Sequence, residues 1–250
     1  MSDWGDLRPL LRSWPYDPEA DARIVRGEDG REILQVRTPL GVEQYELEGR
    51  PDGERPHGRE SALEHFAAQL DEAKAAGREM DFELSEEDCA ELFSEGTIYY
   101  LRYLRLFQLH DWARTIRDTT RNLRVFDLVH RYARREEDQQ YLEKWRPYIL
   151  RMQASASAMM AMEQRGYAQA AGIVDQAIEK IELLPPLEDE TFQFERDRSL
   201  TALRDLAEQI EKNRPLSDLE SLEQQLRRAI EAQEFERAAQ LRDRIRALKT

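Results

Sequence analysis

Apolar and polar residues alternate near the N-terminus, between residues 22 and 48. This is the period of half-buried β-strands. The apolar positions are Leu34, Val36, Tyr45 and Leu47. Asp29-Gly30 predicts a two-residue hairpin turn, and Thr38-Pro39-Leu40-Gly41 predicts a second turn. The segment therefore predicts a three-stranded antiparallel β-meander whose apolar face needs a helix to cover it.

From residue 61 onward the apolar positions recur at steps of three and four, which is the spacing of amphipathic helices. A stripe from Leu63 to Ala73 ends at Gly77, and Ser85 with Asp88 opens the next helix. A pair of helices is predicted over residues 98–132. Breaks between helices are predicted at residues 109–111, 164–167 and 185–186. The rest of the chain is therefore predicted to be almost entirely helical.

The C-terminal stretch carries two successive apolar stripes. The first consists of Leu219, Leu222, Leu226, Ala229 and Ile230, and the second of Phe235, Ala238, Leu241, Ile245 and Leu248. The polar pair Gln233-Glu234 between them leaves room only for a tight reversal, and Ser217 with Glu220 forms a capping box. The pattern predicts a helical hairpin. Because chains below roughly 40 residues seldom bury enough apolar surface to fold alone, its stripe needs a second surface.

The segment LRRAIEAQEFERAAQLRDRI at residues 226–245 resembles the UVR motif. This hairpin is shared by the UvrB and UvrC excision-repair subunits, an arginine-kinase activator and some Clp ATPases. In that family it is a docking element that pairs with another such hairpin or with a partner protein. The resemblance therefore implies binding and not chemistry. The residues predicted to carry the contact are Leu226, Ile230, Phe235, Ala238, Leu241 and Ile245.

Two other segments resemble a helical repeat. Residues 161–178 are similar to the turn and second helix of a tetratricopeptide repeat, and residues 106–116 are a weaker copy. Trp112 and Tyr167 are 55 residues apart, whereas the period of that repeat is about 34. The resemblance implies an irregular helical-repeat body, and stacked hairpins of this kind form a concave surface for partners.

The loop at residues 49–58 is dense in glycine and proline. It is either a binding loop that presents Arg50, Arg55 and His57 or a linker, and its composition favours the linker. The meander and this loop look like the front end of uncharacterised bacterial proteins that end in a UVR motif. No chemistry is assigned to that segment.

Composition restricts the class of protein. Charged residues make up 35% of the chain, the net charge is −14, and the chain contains one cysteine. No apolar run approaches the roughly 18 residues that span a bilayer, and the N-terminus lacks the pattern of a secretory signal. One cysteine excludes an internal disulfide and a Cys-based zinc site. We therefore expect a cytoplasmic protein without a cofactor and without membrane contact.

The positive charge is concentrated in the middle of the chain. Residues 101–151 carry 12 basic and seven acidic side chains, whereas residues 81–100 carry seven acidic and no basic ones. Arg114, Arg117, Arg121 and Arg124 are spaced by three, four and three, which places them on one helix face. They either pair with the acidic residues 81–100 and Asp118, which we favour, or bind an anion or nucleic acid through their guanidinium groups.

His110-Asp111, with His65 upstream, resembles the His…His-Asp…Asp set of metal-dependent phosphohydrolases. The pair also lies at a predicted helix break, and both residue types tolerate turn conformations, so a turn is favoured. No P-loop, H-E-x-x-H or G-x-S-x-G motif occurs. Cys89 lies near Glu87, Asp88 and Glu91, which raise the pKa of a thiol, and it is predicted to be a buried helix residue.

The predicted fold is mainly α: an irregular, TPR-like helical-repeat body with a small N-terminal three-stranded antiparallel β-meander and a C-terminal helical hairpin. The predicted domains are residues 1–58, 59–214 and 215–250. The predicted function is a non-enzymatic cytoplasmic adaptor that docks a protein, either another UVR-containing protein or a second copy, through the hairpin. The alternatives are an excision-repair accessory that contacts nucleic acid through the Arg114 to Arg124 stripe and a metal-dependent phosphohydrolase.

Overall fold

The computed structural model describes residues 6–215 and 218–248, and the chain divides into two units, residues 1–207 and 208–250. The strands are β1 (Ala22–Arg26), β2 (Glu32–Thr38) and β3 (Gly41–Glu46). The α-helices of the described residues are α1 (Arg8–Ser13), α2 (Ala62–Ala75), α3 (Glu86–Gln108), α4 (Trp112–Tyr132), α5 (Glu136–Tyr141), α6 (Arg146–Glu163), α7 (Tyr167–Glu182), α8 (Glu190–Asn213), α9 (Asp218–Glu231) and α10 (Phe235–Leu248). The predicted fold class, mainly helical with an N-terminal meander and a C-terminal hairpin, is confirmed.

The three strands pair in chain order as an antiparallel sheet. The predicted two-residue turn at Asp29-Gly30 is wrong. The amide of Gly27 donates to the carbonyl of Arg31 at 2.8 Å, which leaves a three-residue loop in which Gly30 has φ +82°. Three-residue hairpin loops close with a left-handed residue, and glycine adopts that conformation without a steric penalty. The second turn is the two-residue loop between Thr38 and Gly41.

The apolar face of the sheet is buried, as predicted. Its four side chains, Leu34, Val36, Tyr45 and Leu47, form one cluster with Leu106, and Leu109 packs against this cluster. The last turn of α3 therefore covers the sheet, so the sheet and the helices share a core.

Side chains cap the two helices that follow the sheet. The Ser61 hydroxyl accepts from the amide of Glu64 at the start of α2, and Ser85 with Asp88 forms a capping box at the start of α3. Helix α3 then continues for 23 residues, so the predicted separate helix beginning at residue 98 is wrong. Its buried positions, from Cys89 to Leu106, form one uninterrupted stripe, and that stripe stabilises a single helix.

Three helical hairpins in the described part of the chain close with the same turn: α3–α4, α6–α7 and α9–α10. In each, a residue other than glycine ends the first helix with a positive φ: His110 (60°), Arg165 (60°) and Gln233 (59°). The amide of the next residue then donates to a carbonyl five positions back, which is the Schellman closure. An aromatic residue begins each second helix, namely Trp112, Tyr167 and Phe235. The hairpins are therefore locally alike, although their spacing along the chain is unequal.

The C-terminal unit contains the hairpin of α9 and α10. The two helices pack through Leu222, Ala229, Ala238, Leu241 and Ile245, with Leu219 and Leu226 partly buried beside them. Together the two helices therefore bury one shared apolar seam. The capping box predicted at Ser217 and Glu220 depends on Ser217, which lies outside the residues whose structure is described.

Candidate functional site

Four of the six residues predicted to contact a partner pack within the hairpin. Ala238, Leu241 and Ile245 are buried between α9 and α10, and Leu226 is partly buried beside them. Ala238 lies where the two helices approach each other. Substitution of Leu241 therefore tests the folding of the hairpin before it tests docking.

The other two predicted residues are at the surface. Ile230 lies near the end of α9 and is 54% exposed, and Phe235 begins α10 and is 71% exposed. They flank the turn closed by Gln233, where the amide of Glu234 donates to the carbonyl of Ala229 at 2.8 Å. The hairpin therefore presents two large apolar side chains at its turn. That these residues contact a partner stays a prediction.

The equivalent positions in the α3–α4 hairpin are Phe107 and Trp112, counted from the left-handed residue His110. Their rings lie 5.2 Å apart edge to face, and Trp112 is only 5% exposed. The indole N–H of Trp112 donates to Glu163 Oε1, at the end of α6, at 2.7 Å. In the body, the aromatic residue that begins the second helix is therefore buried and bonded to a neighbouring hairpin, and Phe107 is half-buried beside it.

The predicted arginine stripe lies on one face of α4 and is used within the chain. Arg114 pairs with Asp111 at 2.8 Å and with Glu32 at 3.0 Å, and these hydrogen bonds raise the pKa of Arg114 above its usual range. Arg117 pairs with Glu48 at 2.8 Å and also donates to the carbonyl of Leu47 at 2.6 Å. The first two arginines thus tie α4 to the sheet.

The last two arginines of the stripe face α3 and α2. Arg121 is buried, pairs with Glu95 and lies 3.7 Å over the ring of Tyr99. Burial lowers the pKa of Arg121 to about 9, which still leaves it charged at neutral pH. Arg124 pairs with Glu64 at 3.2 Å and is the most exposed of the four, at 53%. Each arginine of the stripe is therefore paired with a carboxylate, and anion binding by the stripe stays a prediction.

The buried ion pairs beside the arginine stripe were not predicted from the sequence. Arg102 and Asp118 are both buried and form a two-pronged ion pair at 2.7 and 2.8 Å. Arg102 also donates to the carbonyls of Glu46 and Gly49. Glu95 accepts from the amides of Ala62 and Leu63 at the start of the α2 helix.

A signal for these residues was present in the sequence. Glu95 and Arg102 fall on the apolar stripe of α3, between Leu92, Tyr99 and Leu106. A charged residue on such a stripe is either paired or unfavourable, because burying an unpaired charge costs several kcal/mol or more. These ion pairs and hydrogen bonds therefore hold the sheet, α2, α3 and α4 together.

His110 and Asp111 form the turn between α3 and α4. Asp111 caps α4 by accepting from the amide of Arg114 at 3.1 Å, and the ring of His110 stacks on Trp112 at 4.9 Å. His65 instead stacks on His57 at 4.0 Å. Within residues 6–215 and 218–248, no group of three or more His, Cys, Asp or Glu side chains is arranged to hold a metal ion.

Cys89 is buried in the core formed by α2, α3 and α4, as predicted. Burial, followed by the charges of Asp138 and Asp88, raises the pKa of its thiol to about 12. Asp138 lies on α5, which the sequence did not predict. The thiol is therefore neutral and shielded from solvent in the folded chain.

Two of the three side chains that a binding loop at residues 49–58 would present have partners in the chain. Arg50 pairs with Asp52 at 3.0 Å and contacts Glu95, and His57 contacts Glu91 at 3.0 Å. The loop is thereby fastened to α3.

Comparison with protein families places a UvrB/uvrC motif at residues 218–250, which coincides with the α9–α10 hairpin. No curated protein and no solved structure matches the chain. The UVR motif implies a role in protein or DNA interactions linked to excision repair. No helix of residues 6–215 and 218–248 is long and apolar enough to cross a membrane.

Proposed function

We propose that this protein is a non-enzymatic adaptor that docks a partner protein through the turn end of its C-terminal hairpin. The observation that carries the proposal is the contrast between two equivalent pairs of side chains. Trp112 is buried and hydrogen-bonded to Glu163 of the following hairpin, with Phe107 half-buried beside it, whereas Ile230 and Phe235 are exposed. Adjacent exposed apolar side chains are characteristic of binding surfaces.

The partner that fits this surface best is another helical hairpin, either of the UVR type or from a second copy of the chain. In the body, Trp112 at the turn of α3–α4 is bonded to the end of α6, which belongs to a hairpin with the same closure. Large aromatic residues contribute much of the binding energy where they become fully desolvated. Phe235 is therefore the proposed centre of the contact, with Ile230 beside it.

The charges around the hairpin turn do not select a strongly charged partner. Arg237 pairs with Glu234 at 3.0 Å, and both side chains are exposed. Such exposed pairs contribute roughly 0–1 kcal/mol to stability, and their opposite charges leave little net electrostatic potential at the turn. We therefore expect docking that depends only weakly on salt concentration, which distinguishes it from nucleic-acid binding through lysine and arginine.

The proposal is tested by affinity capture from a bacterial lysate with the full chain and with a chain truncated after Arg214, together with purified UvrB and UvrC as defined probes. We expect the full chain to retain a UVR-containing protein, or a second copy of itself, that the truncated chain does not retain. Equal retention by both chains would place docking in the body and contradict the proposal.

We further propose that this adaptor is a cytoplasmic accessory protein of excision repair. Nucleic-acid contact through the α4 stripe is less favoured, because phosphate would have to displace carboxylates from Arg114, Arg117 and Arg121. Absence of any salt-dependent shift of DNA or RNA by the full chain is the expected result.

A further inference from the structure

A cavity in the helical body, separate from the docking hairpin, has the size and lining of a small-molecule binding pocket. Its volume is 470 Å³, and side chains of α3, α4, α6 and α8 form most of its walls. Pockets that hold small ligands have volumes of about 300–1,000 Å³ and are lined mainly by apolar and aromatic side chains with a few polar groups. All lining residues belong to the unit of residues 1–207.

Aromatic rings dominate the lining of this pocket. They include Phe93, Tyr100, Phe126, Tyr141, Trp145 and Tyr148. Tyr100 lies edge to face with Tyr148 at 6.0 Å, and Phe93 stacks on Tyr141 at 4.6 Å. The face of an aromatic ring carries partial negative charge and attracts a cation placed within about 6 Å of the ring centre. Three of these rings already have a cationic side chain of the protein over them: Lys144 lies over Tyr141, Arg146 over Phe126 and Arg151 over Tyr148, at 4.8–5.6 Å. The rings of this lining therefore do attract cationic groups, and Tyr100 and Trp145 are the rings left for the cationic group of a ligand.

The pocket also contains a buried carboxylate that is poorly paired. The side chain of Glu195, on α8, is 7% exposed, and its Oε1 atom lies 3.5 Å from the guanidinium of Arg198. Charge-assisted hydrogen bonds are shorter, at about 2.7–2.9 Å. The Oε2 atom of Glu195 is buried and has no hydrogen-bond partner among the described residues. Arg151 also interacts electrostatically with Glu195, but a buried carboxylate oxygen without a hydrogen bond is still unfavourable, and a bound cation would offset that cost.

Gly96 leaves space at the wall formed by α3. It lies inside a helix, where glycine costs about 0.5–1 kcal/mol relative to alanine, and a Cβ atom built on it meets no atom within 4 Å. Packing in the protein therefore does not require glycine at this position. A larger side chain at residue 96 would instead extend into the pocket.

We propose that this cavity binds a small organic cation, an ammonium or quaternary ammonium compound with an apolar body. Tyr100 and Trp145 contact the cationic group, Glu195 is its counter-ion, and the apolar body fills the remaining volume. Arg198, which is exposed, lies at the rim. This site is independent of the hairpin, so it stands whether or not the docking proposal holds.

The test is a ligand-observed NMR titration of the full chain with benzyltrimethylammonium. We expect binding with a Kd of about 1 mM or tighter. Glu195→Gln should weaken binding about tenfold or more, because the charge contact between the carboxylate and the ammonium group is lost. Gly96→Leu should abolish binding by filling the pocket. Gly172→Leu is the matched control: Gly172 also lies in a helix with no atom within 4 Å of its Cβ position, but outside the pocket, so binding should equal that of the parent.

Three results would overturn the proposal. The first is no binding of benzyltrimethylammonium up to about 10 mM, a level that detects very weak complexes. The second is unchanged affinity in Glu195→Gln, which is the deciding variant if Gly96→Leu fails to fold. The third is tighter binding of phenylacetate, an anion of similar body, than of the cation, since that would assign the site to Arg198.

Discussion

The α3–α4 hairpin and the α9–α10 hairpin share one turn but differ in what covers it. Both place a left-handed residue, His110 or Gln233, before an aromatic residue that begins the second helix. Trp112 is buried and hydrogen-bonded to Glu163, whereas Phe235 is exposed. Because the local sequence and turn are alike, the difference lies in the neighbours. The same turn therefore has its aromatic residue buried in the body and exposed in the C-terminal unit.

The two hairpins also differ in whether their ion pairs are buried or exposed. The α3–α4 hairpin encloses the buried pair Arg102–Asp118, whereas the pair Arg242–Asp243 of α10 is exposed. Removing one partner of a buried pair costs several kcal/mol, but exposed pairs contribute little. Loss of one charge is therefore expected to destabilise the body, whereas loss of an exposed charge in the C-terminal unit is expected to cost little.

The largest expected effect comes from shortening the aromatic residue at each turn. Trp112→Ala should lower the free energy of unfolding by about 3–5 kcal/mol, because it removes a buried ring and its hydrogen bond. Phe235→Ala should change it by no more than about 0.5 kcal/mol. Urea unfolding of the two variants measures both effects, and equal losses would remove the basis of the comparison.

A smaller effect is expected inside the hairpin itself. Leu241→Ala should lower hydrogen-exchange protection in α9 and α10 by about 2 kcal/mol, because Leu241 is buried between these helices. Ile230→Ala is the matched control and should leave protection nearly unchanged, since its side chain is exposed. Protection that is lost equally in both variants would mean that Ile230 also stabilises the hairpin.

The smallest expected effect is at the turn. Gln233 has φ 59°, a conformation that favours glycine by about 1 kcal/mol over other residues. Gln233→Gly should therefore raise the stability of the hairpin by roughly that amount, while Gln233→Ala should give no such gain. A destabilised glycine variant, seen by the same exchange measurement, would show that the Gln233 side chain itself holds the turn.

The periodicity of the sequence predicts most of the elements but not their surroundings. Alternation at Leu34 and Val36 correctly predicted a buried sheet face, and the three-residue and four-residue steps after residue 61 correctly predicted helices. The short helix α5 was missed because it has no full apolar stripe. The turn at Asp29-Gly30 was predicted one residue too short because an Asp-Gly pair fits both loop lengths.

The sequence predicted which residues belong to the candidate site but not which of them are exposed. Ile230, Phe235 and Leu241 belong to the same two stripes in sequence, so their spacing identifies all three as contact residues. Which of them faces the second helix depends on how α9 and α10 cross, and this is set by packing. The structure places Leu241 inside and leaves Ile230 and Phe235 outside. The stripe of arginines was likewise placed on one face correctly, and its predicted pairs with Asp118 and with Glu95 of residues 81–100 are present. Two other partners did not follow from the spacing, because Glu32 lies in β2 and Glu48 follows β3.

The most direct test of the docking proposal is quantitative binding of the captured partner to the double variant Ile230→Glu/Phe235→Glu. The matched control is Phe194→Glu, which changes a phenylalanine of α8 that is 62% exposed. We predict that the double variant loses binding at least about a hundredfold while Phe194→Glu binds like the parent, since desolvated aromatic anchors contribute roughly 2–4 kcal/mol each. Unchanged affinity in the double variant, with its helical content intact, would contradict the proposal that the turn of the hairpin is the docking site.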